Sequence, residues 1–218
     1  MSDSVISRRV EDIDGLFDCL LEQHPEPVCE LNFKSPFELL VAVILSAQCT
    51  DKRVNEVTSH IFDKYNTPKQ FADMRQEDLE RMIFSCGFYR NKAANIIAAS
   101  KDIVDKFGGE VPSDFDSLLS LAGVGRKTAN VVSAVAFGEQ TMPVDTHVLR
   151  LSNRIGLASS DKPAEVERTL VSIVPHDRLT QAHHLLIHHG RYICTARAPH
   201  CDKCAITDYC RFFKEGRL

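Results

Sequence analysis

The sequence predicts an all-α fold, on three observations. Apolar residues recur at helical spacing nearly throughout, helix starts and stops are spelled out by capping residues, and no run alternates apolar and polar residues as a half-buried strand would. The first stripe, Val10, Ile13, Leu16, Phe17, Leu20 and Leu21, sets a helix near the N-terminus. Ser35-Pro36-Phe37-Glu38 then combines a capping serine, a proline at the first helical position and a glutamate three residues after the cap, and Thr67-Pro68-Lys69-Gln70 repeats the pattern. From Leu39 to Leu45 the first of these helices is apolar on every side, the mark of a helix buried at the centre of a helical domain. Its end delivers Ser46-Ala47-Gln48-Cys49-Thr50-Asp51, a polar run with two readings: a cap and turn into the next helix, or a device that presents Gln48 at a cleft. Ile96, Ile97, Ile103, Val104 and Phe107 form a further stripe, stopped by Gly108 and Gly109. Gly138, Gly156 and Gly190 each follow a periodic segment and read as C-terminal stops, supplying positive φ without a Cβ clash. No repeat or low-complexity linker cuts this succession into domains.

Composition narrows the class. With 218 residues, 44% hydrophobic and 26% charged, the chain has ordinary globular composition and room for one sizeable core or two small ones. No stretch is apolar for long enough to span a bilayer, and the first ten residues lack a basic region followed by an apolar one, so a cytoplasmic location without membrane association is expected. The net charge of −4 runs against a polyanionic partner. That acidity is local, however: residues 1 to 29 hold two basic and seven acidic side chains, whereas residues 141 to 218 hold eleven basic and eight acidic ones. The C-terminal third is thereby left able to face phosphates.

Between a helix ending over Ser117 to Leu121 and another over Lys127 to Phe137 lies Leu121-Ala122-Gly123-Val124-Gly125-Arg126-Lys127-Thr128. Two glycines two apart permit a tight turn and bring amide N–H groups close to a ligand, and the following helix start adds a positive dipole, so the segment suits phosphate. A nucleotide-binding Walker loop is excluded because Arg126 stands where glycine must precede the lysine; Thr128 likewise breaks the dinucleotide GxGxxG pattern. Lys127 falls in the first turn of its helix, where the dipole disfavours the ammonium and favours the neutral amine that attacks carbon. On residue type alone, a solvated lysine or a phosphate ion pair is the competing reading. Asp145, in Val144-Asp145-Thr146-His147, opens a helix carrying Val148, Leu149, Leu151 and Ile155. A capping aspartate accepts amide hydrogen bonds, and the same bonds suit a carboxylate that stabilises positive charge or takes a proton.

Cys19, Cys29, Cys49 and Cys86 are scattered, while Cys194, Cys201, Cys204 and Cys210 crowd into the tail with six, two and five residues between them. Four close cysteines containing one C-x-x-C imply a tetrathiolate site for zinc or an iron–sulfur cluster, and the spacing does not decide between them, since it fits neither the paired knuckles of a zinc ribbon nor the ferredoxin runs. His183, His184, His188 and His189 have no acidic residue among them and are read as packing and hydrogen-bonding residues rather than a second metal site.

Taken in order, Ser46-Ala47-Gln48, Leu121 to Asn130, Val-Asp-Thr-His at 144 to 147 and the four terminal cysteines resemble the endonuclease III family of helix-hairpin-helix DNA glycosylases, over about Leu31 to about Cys210. The resemblance implies two helical domains flanking a DNA-binding cleft. Residues 30–139 would form a six-helix barrel domain holding the hairpin at about 114–138, and residues 1–29 plus 140–218 a discontinuous domain with a C-terminal cluster loop. It implies a base-excision-repair enzyme, a bifunctional glycosylase and AP lyase acting as a monomer on double-stranded DNA that contains oxidised pyrimidines or abasic sites. Lys127 would attack the sugar C1′ of a flipped nucleotide while Asp145 assists departure of the base, and the resulting Schiff base would cut the strand by β-elimination. An adenine-specific relative would lack that lysine. A monofunctional glycosylase and a non-catalytic DNA-binding module with a zinc knuckle are the rival readings, and Lys127 together with Asp145 argues against both.

By the same resemblance Gln48 fills the gap left by the flipped nucleotide, and Phe88 in Gly87-Phe88-Tyr89 stands at the position of a second intercalating wedge, where the family more often has an aliphatic residue; burial in the core is the competing account of Phe88. Gly123 and Gly125 carry over as amide donors to phosphate, with Arg126, His147 and Arg197 as further DNA-binding residues, and Ala122 replaces a more usual proline. Cys194, Cys201, Cys204 and Cys210 carry over as ligands of a [4Fe-4S] cluster. The cluster would cross-link a tail too short for a core of its own and hold out the loop from Thr195 to His200, where Arg197 and His200 are able to meet phosphates and Ala198 replaces a frequent basic residue.

Overall fold

The computed structural model describes residues 12–216, among which there are helices and turns but no strand. Val10 of the expected first stripe lies outside them. In chain order the α-helices are α1 (Ile13–Gln23), α2 (Pro36–Ser46), α3 (Asp51–Phe62), α4 (Pro68–Ala72), α5 (Gln76–Met82), α6 (Tyr89–Lys106), α7 (Phe115–Ser120), α8 (Arg126–Phe137), α9 (Thr146–Ile155), α10 (Pro163–Ile173), α11 (Leu179–Tyr192) and α12 (Arg211–Lys214). No described helix is long and apolar enough to cross a membrane.

The chain forms two compact units, one from Cys29–Glu139 and the other from Met1–Val28 with Gln140–Leu218. In the first, α2 is the axis: Phe37 through Leu45 are all buried, and α3, α6 and α8 pack around it. Phe37 and Phe71 meet edge to face at 5.3 Å, which ties α2 to α4, while α4 and α5 lie against α6. The capping residues act as the sequence predicts. Ser35 Oγ accepts from the Glu38 amide at 3.2 Å, and Thr67 with Gln70 forms a reciprocal capping box. Glu38 departs in one detail, its carboxylate accepting from the Lys34 amide at 2.6 Å, one residue before the cap. A cap contributes about 1 kcal/mol and each buried Leu or Phe about 1.5–3 kcal/mol, so burial holds α2 and the caps fix where it begins.

In the second unit α11 packs against α9 and α1, and α9 also receives α10 and α12. Its core is built from Leu16, Phe17 and Leu20 of α1, Val148, Leu151 and Ile155 of α9, and Leu185 and Leu186 of α11. The N-terminal acidity is partly neutralised within this unit, where Arg178 pairs with Asp14 at 3.1 Å and Asp18 at 2.8 Å.

Gly138 and Gly156 end α8 and α9 at φ 76° and 101°, as expected of stops. Gly190 does not. It lies inside α11, and a Cβ there would come within 3.0 Å of the His147 Cβ and 3.2 Å of Arg150 Nη2. It is a contact glycine that lets α9 approach α11, and the helix runs past it to Tyr192.

Candidate functional site

The hairpin after α6 is made by α7 and α8. Asp114 caps α7, its Oδ1 accepting from the Ser117 amide at 2.8 Å, and this bond holds the carboxyl below its usual range. Between the helices Gly123 takes φ 77°, and a Cβ there would meet the Asn95 Cβ at 2.7 Å, so turn geometry and the neighbouring side chain both demand glycine. Gly125 differs: it is extended, a Cβ added to it would meet nothing within 4 Å, and it serves as the N-cap of α8. No side chain caps α8, and a helix start without one suits an anion. Arg126 and Lys127 occupy the first two helical positions and are exposed, with the Arg126 guanidinium 5.3 Å from the centre of the Phe115 ring.

In the other unit Asp145 caps α9. Its Oδ1 accepts from both the His147 and Val148 amides at 2.8 Å, and Oδ2 takes no part in the cap. His147 is half-buried in the first turn of α9, with Nδ1 3.3 Å from Arg150 Nη2. Arg150, one turn after the aspartate, donates to the Gly190 carbonyl at 2.8 Å and the Cys194 carbonyl at 3.0 Å, and burial lowers its pKa. It fastens the helix that presents Asp145 to the end of α11. Sequence reasoning passed over Arg150; the available signal was an arginine three residues after His147 on a helix whose other face is apolar.

Gln48 and Phe88 share a property the sequence did not reveal. Among the described residues they are the non-glycine residues with positive φ, 52° and 57°. Ala47 (φ −57°, ψ 115°) and Gln48 form the centre of a type II turn closed by the Cys49 amide donating to the Ser46 carbonyl at 3.0 Å, and Gln48 stands where such turns favour glycine. Both side chains are exposed, Phe88 by 64%, which overturns burial in the core as its role. The turns adjoin, since a Cβ on Gly87 would touch the Gln48 carbonyl at 3.4 Å. The scattered Cys49 and Cys86 belong to the same corner, where burial, with the Cys49 thiol beside it, pushes the Cys86 thiol up to about 11.

The four tail thiols surround one pocket, lined also by Leu151, Ile155, Ile193, Pro199 and Phe212. Among the described residues no three His, Cys, Asp or Glu side chains converge closely enough for one ion to bind them together. Four thiols around one pocket are the donor set of a tetrathiolate metal site. The thiol form is held by burial, which pushes Cys204 up to about 11, so a thiolate there requires compensating positive charge. Positive charge reaches the site at other thiols, where Arg154 donates to Cys194 Sγ at 3.3 Å and acts against burial at Cys201. The same guanidinium donates to the Thr195 and Ala196 carbonyls at 2.7 and 2.8 Å and lies over the Phe212 ring, so the loop from Thr195 to His200 is pinned by protein as well as by its cysteines. Arg197 and His200 are exposed on it.

The histidines of α11 each have a structural role. His183 Nδ1 is 2.8 Å from the Pro143 carbonyl and His188 Nε2 is 3.0 Å from that of Val28. His184 packs against His183 with ring centres 5.0 Å apart. His189 bridges His24, at 3.2 Å, and Cys204 Sγ, at 3.4 Å, making it a neighbour of the thiol site that the sequence left unassigned.

Residues 41–176 match the model of the HhH-GPD superfamily, described as base excision DNA repair proteins. The chain is 49% identical over 201 residues to endonuclease III of Rickettsia conorii, covering 92% of this chain and 96% of that one. To endonuclease III of Bacillus subtilis it is 48% identical over 203 residues, covering 93% of each. A solved trapped endonuclease III–DNA covalent intermediate superposes with TM-score 0.92 at 46% identity, covering 97% of this chain and all of that one. A thermostable thymine-DNA glycosylase shares the fold, with TM-score 0.83 at 21% identity.

Proposed function

The chain belongs to the endonuclease III family, within the HhH-GPD superfamily of base excision DNA repair proteins, and is a bifunctional DNA glycosylase and AP lyase; we propose that Lys127 is its nucleophile and Asp145 the acidic partner. The observation that carries this assignment is the character of two helix starts, one in each unit: α8, without a side-chain cap, bears an exposed Lys127 in its first turn, and α9 is capped through a single oxygen of Asp145. Phosphate held on the α8 amides, with Gly123, Gly125 and Arg126 around it, orients the duplex backbone. Asp145, its Oδ2 not engaged in the cap, stabilises the positive charge that develops on the sugar as the C1′–N bond breaks and the base leaves with the bonding electrons and a proton. The Lys127 amine bonds to C1′, and the ring opens to a Schiff base. Loss of a C2′ proton then expels the 3′ phosphate by β-elimination, and hydrolysis of the Schiff base restores the lysine.

Oxidised pyrimidines and abasic sites in double-stranded DNA are the substrates we assign, with Gln48 filling the vacated stack, Phe88 wedging beside it, and His147 and Arg197 contacting the backbone. Cys194, Cys201, Cys204 and Cys210 hold a [4Fe-4S] cluster, which supplies a cross-link for the tail. The enzyme works as a monomer in the cytoplasm, on nucleoid DNA, without a membrane partner.

Borohydride trapping tests the mechanism. Wild-type protein mixed with a duplex containing an oxidised pyrimidine is expected to give a covalent adduct that Lys127→Ala does not give. No adduct with wild type, or equal trapping by the variant, refutes the assignment. A brown protein with a broad visible absorption band, which zinc would not give, checks the cluster separately.

A further inference from the structure

Two left-handed non-glycine residues side by side need something to hold them, and one residue bonds to both turns, with its side chain at the Gln48 turn and its backbone amide at Phe88. Lys92, in the first turn of α6, is 5% exposed and lies with Ala93, Ile96 and Ile97 among the buried residues of its helix. Its Nζ donates to the Leu45 carbonyl at 2.8 Å and to the Ala47 carbonyl at 2.6 Å. The Ala47 carbonyl belongs to the peptide group that carries the Gln48 nitrogen. The Lys92 amide meanwhile donates to the Phe88 carbonyl at 3.1 Å. One residue thus grips the backbone beside both exposed side chains. An ammonium at the carbonyl end of α2 is also favourable for the helix dipole and satisfies carbonyls that the helix leaves unpaired. Burial lowers the Lys92 pKa.

Helix capping alone does not require a lysine from another helix. Glycine at position 48 would close the turn without strain, and an exposed glutamine there gains nothing from the fold. We propose that Lys92 is a positioning residue for base extrusion: its ammonium locks the Gln48 turn against the start of α6, so that Gln48 and Phe88 enter the duplex as one preformed unit. This rests on reading Gln48 as the residue that fills the gap. The side chain that must replace a flipped nucleotide is then set before DNA arrives, and its ordering is not left to the moment of extrusion.

The test is a double-mutant cycle on the intact cluster-containing enzyme, using single-turnover excision from an oxidised-pyrimidine duplex. A second readout is the fluorescence of 2-aminopurine placed beside a tetrahydrofuran abasic analogue, which reports unstacking without chemistry. Lys92→Met is expected to slow excision by about 10- to 100-fold and to diminish the fluorescence rise, the scale on which displaced positioning groups act. Lys92→Arg, which keeps a charged donor, is expected to restore most of both. In a Gln48→Ala background, Lys92→Met is expected to slow excision several-fold less than it does in the wild type, because the side chain whose turn the ammonium locks is gone and only Phe88 is left to position. Fully multiplicative losses, or an unchanged rate in Lys92→Met, overturn the positioning role. An unchanged rate in Gln48→Ala alone instead overturns the gap-filling reading, and this inference with it. Should Lys92→Met not fold, Lys92→Gln is read by the same criteria.

Discussion

A glutamine and a phenylalanine held at positive φ with their side chains in solvent are costly residues unless they act on something outside the chain. Backbone strain of this kind is of order 1 kcal/mol or more at each position, and glycine relieves it, offset in part by the greater freedom glycine has in the unfolded chain. Gln48→Gly and Phe88→Gly are therefore expected to leave the melting temperature unchanged or raised by a few degrees while slowing single-turnover excision at least about tenfold, the usual sign of strain kept for function. Calorimetry set beside excision rates on the same preparations checks this, and a loss of both stability and activity would mean that the side chains serve the fold. Position 48 was legible in the sequence as an exposed polar residue after a buried helix. Its strain was not, because φ at a turn depends on the bond from Cys49 to Ser46 and on Lys92 reaching across from α6.

At the scale of the hairpin, the two glycines that look equivalent in the sequence are not. Gly123 is left-handed and pressed against Asn95, whereas Gly125 is extended and open. Gly123→Ala is expected to destabilise the protein by about 1–3 kcal/mol, and Gly125→Ala to change stability by less than about 0.5 kcal/mol. If phosphate sits on the amides at the start of α8, Gly125→Ala nonetheless weakens binding to an abasic-analogue duplex, which fluorescence anisotropy reads, because the new methyl group stands where the anion approaches. Equal stability losses from both substitutions would contradict the geometry. Local signals were sufficient where an element is defined by its own residues: Ser35 and Thr67 mark the starts of α2 and α4, and Gly156 marks the end of α9. They failed where a neighbour decides. Gly190 is a glycine because His147 and Arg150 lie against it, and Lys92 is buried because α2 ends beside it; Gly190 is 40 residues from Arg150, and Lys92 is 47 from Leu45. Lys127 and Asp145 were assigned only through the order of motifs along the whole chain, since each alone is an ordinary helix-start residue.

Over the whole molecule, the two cores carry different burdens of titratable groups, and acid should find the difference. The core around α2 buries Lys92, whose charged form acid favours, whereas the unit built on α9 and α11 buries neutral histidines. Burial, reinforced by the nearby His188 and Arg191, lowers His184 to about 4 from its ordinary 6.5. The unfolded state therefore binds the extra proton between these values. The stability linked to His184 is complete above about pH 6.5 and is lost as pH falls toward about 4, a change on the order of 3 kcal/mol across the window. Hydrogen exchange, corrected for the intrinsic pH dependence of amide exchange, is expected to show protection in α9 and α11 falling between about pH 6.5 and about pH 4 while α2 and α6 keep theirs. His184→Gln is expected to make that dependence shallower, since it removes one of two titrating groups and leaves His189, which burial also lowers to about 4. Equal loss of protection in both units, or an unaltered slope in the variant, would locate the acid sensitivity elsewhere. The consequence for catalysis is asymmetric: Lys127 is carried by the unit that acid spares, and Asp145 by the one that acid loosens, so the carboxylate's placement should be the first to suffer as pH drops.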